Sequence, residues 1–135
     1  MEVPLGTTLH QIVNEIGGGS ASVAADDLVL LGSDLAPNQP GLYFQGDNAI
    51  ANGDGMIFGD GLRCAGSNVL RLQTVTASGV GTSGTSIPIA GTVGVVPGET
   101  KRYQLWYRDN SGGQPCGAGV NDFNLSNGYE IAWLP

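Results

Sequence analysis

Past residue 20, apolar side chains alternate with polar ones in short runs, and each run stops within a few residues at a glycine, proline, asparagine or aspartate. A period of two is the repeat of a strand with one buried face, and corners at such close intervals leave no length for long helices. The 23 glycines and seven prolines supply those corners. Strands are predicted near residues 22–31, 41–45, 56–58, 62–65, 69–77, 85–90, 102–108 and 129–134. Their number and spacing predict an all-β fold, an antiparallel two-sheet sandwich of about eight strands with a short N-terminal helix.

That helix is the one break in the pattern. From Thr8 the chain reads TLHQIVNEIGGG, with Leu9, Ile12, Val13 and Ile16 on one helical face, Thr8 and Gln11 as a capping box, and Gly17 as the stop. Residues 1–19 are thus expected as a strand and helix appendage, and 20–135 as the β domain. The apolar stripe needs a cover, either the sandwich or a second copy of the chain.

Charge narrows the partners. Five Lys and Arg against 12 Asp and Glu give a net charge of −7. Residues 1–60 hold eight acids and no Lys or Arg, so phosphate backbones are repelled and nucleic acid is not an expected partner. No window approaches the roughly 20 consecutive apolar residues of a membrane span. The first residues lack the basic start and apolar core of a secretory signal, which leaves a signal already removed or a chain that is not exported. The two cysteines, Cys64 and Cys116, are too far apart for a CxxC motif, and the lone His10 completes no metal site. They read as a disulfide or as two buried thiols; a disulfide closing so long a loop would add about 4 kcal/mol in the chain-entropy model.

Two resemblances join these readings. EVPLGTTLHQIVNEIGGG resembles the opening of the β-grasp, soluble-ligand-binding segment of the NADH-binding subunit of respiratory complex I, and the likeness ends at Gly19. From GSASVAADDLVL through NQPGLYFQGDNAI, FGDGLRCAG, RLQTV, RYQLWYRD and FNLSNGYEIAW, the chain is similar to a β domain found near the C-termini of large secreted bacterial proteins. The second resemblance implies an exported β-sandwich accessory domain with Cys64 and Cys116 oxidised, secreted or held at the cell surface. It brings no catalytic residues.

Chemistry is sparse. His10 lies off the apolar face of its helix and reads as a solvated side chain, and twelve acids without a deep cleft do not make a glycosidase, so no enzyme is expected. In RYQLWYRD, Tyr103, Leu105 and Tyr107 alternate with Arg102, Gln104, Trp106 and Arg108. Trp106, with Arg108 and Gln104, forms either a platform for a sugar ring or partner surface, or the packing of a central strand with Arg108 paired to Asp109. Trp133 invites the same two readings, and its alternation with Tyr129 and Ile131 favours core. In DNAIANGDGMIFGDGLRC, Asp47, Asn48, Asn52, Asp54 and Asp60 are oxygen ligands of the kind calcium takes, without EF-hand spacing. The same residues serve as positive-φ corners, with Asn52-Gly53, Asp54-Gly55 and Asp60-Gly61 turning the chain toward Cys64. Two functions follow as expectations: a non-catalytic extracellular accessory module binding a glycan or surface polymer, with a glycan or protein surface as partner, or a structural domain that self-associates or acts as a spacer in a larger secreted protein.

Overall fold

The computed structural model of the chain describes residues 16–58, 61–109 and 123–135. Over these residues the fold is mostly β, its strand pairs are antiparallel, and one short α-helix interrupts them. The strands are β1 (Ile16–Gly18), β2 (Val29–Gly32), β3 (Pro40–Gly46), β4 (Asn48–Ala49), β5 (Met56–Phe58), β6 (Gly61–Arg63), β7 (Ala65–Gly66), β8 (Leu70–Thr76), β9 (Ser83–Gly84), β10 (Thr100–Arg108), β11 (Phe123–Leu125) and β12 (Tyr129–Ala132). The helix, α1, is Ile89–Val93.

The long strand β10 is the spine. One edge pairs with β3, which pairs in turn with β8. The other edge is shared: β12 takes Thr100 to Tyr103, and β11 takes Trp106 to Arg108. Ser126 fills the gap between them, its backbone N–H donating to Leu105 O at 2.9 Å and its Oγ accepting from Leu105 N at 2.9 Å. Beside this five-stranded sheet stand a three-stranded sheet, β1-β2-β9, and two ribbons, β4-β7 and β5-β6.

Alternation along β10 assigns the two faces. Tyr103 and Leu105 point inward with Tyr43, Leu72, Tyr129 and Ile131, and are covered by Leu28 and Leu30 at β2 and by Ile89 and Ala90 of α1. Trp133, 1% exposed, closes one end of this core. Its indole N–H donates to Tyr103 Oη at 2.8 Å, and Tyr103 donates onward to Gln45 Oε1 at 2.7 Å. A buried polar chain therefore threads β3, β10 and the residue after β12, and satisfies groups that burial would otherwise strand.

Most expected strands occur where the alternation places them, but the strand expected over 22–31 forms only from Val29, two further segments differ, and β4, β9 and β11 are additions. Residues 85–90 read as a strand, but the segment turns into α1. Its first N–H groups find no local cap; the Asp26 carboxylate supplies one, accepting from Ala90 N and Gly91 N at 2.8 Å each. Ile16, expected as the last apolar residue of the N-terminal helix, lies in β1 opposite Leu30. The run Gly17 to Gly19 holds no helix former, and Ile16 and Gly18 instead pair with Leu30 and Val29. Phe123–Leu125 adds a strand. The remainder of the expected helix, with Leu9, Ile12 and Val13, lies outside the described residues. No described helix is long and apolar enough to cross a membrane.

Candidate functional site

The outer face of the five-stranded sheet, opposite the main core, carries Leu42 and Phe44 on β3, Gln104 and Trp106 on β10, and Arg71 on β8. Arg71 reaches that face because the β3–β8 register slips between Tyr43 and Phe44, leaving Leu72 as the extra residue in the core and Arg71 opposite Phe44.

Gln104 fixes what lies over this face. It is 3% exposed. Its Oε1 accepts from Cys64 N at 2.8 Å and Ala65 N at 3.3 Å, while Nε2 donates to Leu62 O at 2.7 Å and Ser126 O at 2.6 Å. Both ends of the amide are used by backbone, so Gln104 anchors the segment after β6 and the segment after β11 and offers nothing to a ligand. Three stretches quoted above, FGDGLRCAG, RYQLWYRD and FNLSNG, meet at this one side chain.

The anchored β5-β6 ribbon brings Phe58 against Trp106, with ring centroids 5.8 Å apart, and both against Phe123 at 5.4 and 5.6 Å. All three pairs are edge-to-face, the arrangement that aromatic quadrupoles favour. Behind them Phe44, Ala65 and Leu125 form a second small core. Trp106 is half-buried, so it packs this cluster and also lines a recess of about 140 Å³ with Leu42, Phe44, Phe58, Val69 and the two arginines Arg63 and Arg71. Arg63 Nε donates to Ala65 O at 3.2 Å, and its guanidinium carbon sits 5.8 Å from the centre of the Phe58 ring.

The cations divide into two groups. Lys101 contacts Asp47 at 2.7 Å and Glu99 at 3.2 Å, and Arg102 contacts Glu130 at 2.8 Å and donates to Asp47 O. Arg63, Arg71 and Arg108 form no ion pair with a described carboxylate. Arg108, on the same outer face of β10, stands across from Phe123 and is exposed.

The remaining candidates are placed as follows. Trp133 is inside the main core and Gln104 under the ribbon, so neither joins Trp106 at the surface. The Asp47 carboxylate is held below its usual range by its hydrogen bond from Lys101. Asn52 has φ 56°, Gly53 φ 101° and Gly55 φ 75°, the corner geometry their residue types favour, and Asp54 closes the 3-10 turn Ile50–Gly53. Asn48 starts β4. Asp60 lies outside the described residues, among which no three His, Cys, Asp or Glu side chains gather. Cys64 is half-buried, its thiol pushed up by burial, and packs on Gly128, where an added Cβ would stand 2.8 Å from that of Cys64. Among the described residues Cys64 is a free thiol and no disulfide is seen; Cys116, its expected partner, lies outside them. Sequence reasoning missed Leu42, Phe44, Phe58, Arg63, Val69 and Arg71 as neighbours; their alternation was legible, but their convergence depends on the β3–β8 slip and on the Gln104 anchor. Comparison of the chain with protein-family models, with curated proteins and with solved structures finds no match.

Proposed function

We propose that residues 20–135 form a non-catalytic accessory module of an exported protein, a β-sandwich whose five-stranded sheet turns its outer face toward a glycan or other surface polymer. The observation that carries this reading is the recess of Leu42, Phe44, Trp106, Arg63 and Arg71, an apolar floor with polar cations at its rim. Ligand sites have that composition, mostly apolar with a few polar groups that set orientation. Export carries the oxidised Cys64–Cys116 pair with it, so thiol titration of the unreduced, denatured protein is expected to find no free thiol, and two would remove that part of the reading.

The function itself is tested by affinity electrophoresis through gels holding neutral or acidic polysaccharides. Wild-type protein is expected to be retarded in at least one. Val69, 39% exposed at the rim, provides the control. Val69→Asp introduces a carboxylate without emptying the core, and is expected to migrate as in a blank gel with an unchanged melting temperature. No retardation in any gel, or equal retardation of V69D, removes the proposal.

A second reading, a structural domain that self-associates, has its own support. Met56, Ile57 and Leu62 on the β5-β6 ribbon are 54%, 71% and 40% exposed. Ile57 and Leu62 are cross-strand partners on one face of the ribbon, and a bare apolar pair of this kind is covered in many proteins by a second chain. Under this reading sedimentation gives a mass that rises with concentration, and Ile57→Asp returns it to that of one chain.

A further inference from the structure

We infer that the recess takes the carboxylate-bearing unit of an acidic polysaccharide, a uronate, with its carboxylate at Arg63 and Arg71 and its ring against Trp106 and Leu42. This rests on the glycan reading and specifies the ligand. Lys101 and Arg102 are consumed by acids, and the three cations without a described acidic partner all lie on or beside one sheet face. A neutral sugar leaves such a grouping uncompensated, whereas an anion accepts charge-assisted hydrogen bonds from guanidinium N–H groups. The chain as a whole carries −7, so a polyanion is repelled by most of the surface and directed to the face that holds the arginines without a described acidic partner. The apolar floor of Leu42, Phe44 and Trp106 suits the C–H face of a pyranose ring better than a bare inorganic anion. At about 140 Å³ the recess holds one small ring; sites for drug-sized ligands run to roughly 300–1,000 Å³. A polymer presents that unit many times to the one recess, so its apparent affinity exceeds that of the single unit by a statistical factor.

The experiment compares polygalacturonate with the same polymer fully methyl-esterified, which keeps the sugar and removes the charge. Poly-glutamate and a single-stranded oligonucleotide are run beside them. Polygalacturonate is expected to bind, to weaken as salt rises, and to lose at least about tenfold in affinity with Arg71→Gln, the loss of one charge-assisted contact. Arg71 is exposed and forms no described ion pair, so R71Q is expected to keep its melting temperature. R63Q is expected to lose as much affinity, with some stability lost through its contact with Phe58. Equal binding of the esterified polymer overturns the carboxylate inference and leaves the glycan reading standing. No binding to either polymer, together with no retardation in any neutral gel, overturns both. Binding of poly-glutamate or the oligonucleotide as tightly as polygalacturonate overturns the sugar, as does self-association abolished by R71Q.

Discussion

A single amide at position 104 decides where three separate stretches of chain lie. Its four hydrogen bonds reach backbone at Leu62, Cys64, Ala65 and Ser126, in a position 3% exposed. Gln104→Leu keeps the volume and strands those partners; with buried unsatisfied groups costing about 1–3 kcal/mol each, the loss is expected to exceed about 3 kcal/mol in urea unfolding. Gln104→Glu keeps the acceptors and loses both donors, and is expected to be about as harmful. A loss under about 1 kcal/mol for both variants would show that the ribbon is held by other contacts. Tyr103 is a comparable case, 1% exposed between the Trp133 indole and Gln45. Tyr103→Phe is expected to cost about 2–4 kcal/mol, because it orphans a donor and an acceptor together. From the sequence, alternation alone put Gln104 on the face of Trp106 and opposite Tyr103. Its burial was not legible there, because the cover comes from residues about forty positions away that no local pattern connects to it.

Between elements, the least sequence-legible feature is α1. The segment TSIPIAGTV alternates Ile87 and Ile89 with polar or small residues, the pattern of a strand, and Pro88 at the N-cap makes no side-chain cap. What selects the helix is Asp26, 64 residues upstream of Ala90, itself in a left-handed conformation at φ 46° that aims both carboxylate oxygens at the first turn. Gly94, at φ 73°, ends the helix in the usual way. Asp26→Ala is expected to cost about 1–2 kcal/mol, the range for loss of an N-cap, and Asp26→Asn less, since the amide keeps one acceptor. Equal stabilities for wild type and both variants, measured by urea unfolding, would mean that burial of Ile89 and Ala90 is what holds α1. The strands β3 and β10 were legible because each carries its own alternation, and the three-residue β5 and β6 because the glycine and aspartate corners of Asn52-Gly53-Asp54-Gly55 and Asp60-Gly61 bracket them. The strand β11 was not, since FNL is too short for a period to show.

Across the whole molecule, burial and charge set how the fold responds to pH. The all-β class was legible from alternation alone; the division into a five-stranded sheet and smaller sheets was not, because β10 draws its partners from β3, some sixty residues before it, and from the chain's last strands. That sheet buries phenols. Tyr43 and Tyr103 are pushed up by loss of solvent, and Tyr107 is pushed up to about 12 by burial first and by Asp109 and Asp34 after it. A phenol with a raised pKa in the folded state is neutral there, so its contribution is complete below the unfolded value near 10 and is lost as pH rises toward the folded value. Lys101, raised by Asp47 and Glu99, loses its charge in the same alkaline range, whereas Asp47 and Glu99, lowered by hydrogen bonds from Lys101 and from the Val96 backbone respectively, weaken the fold only as pH falls below about 4. The urea midpoint is therefore expected to be level from about pH 5 to 9, and to fall from about pH 10 to 12. Tyr107→Phe separates the phenol from the lysine: it removes one titrating group of the core, and its midpoint is expected to fall less steeply above pH 10 than that of the wild type. Parallel declines for the two proteins would assign the alkaline loss to Lys101 and the other tyrosines, and would place the Tyr107 hydroxyl in contact with water.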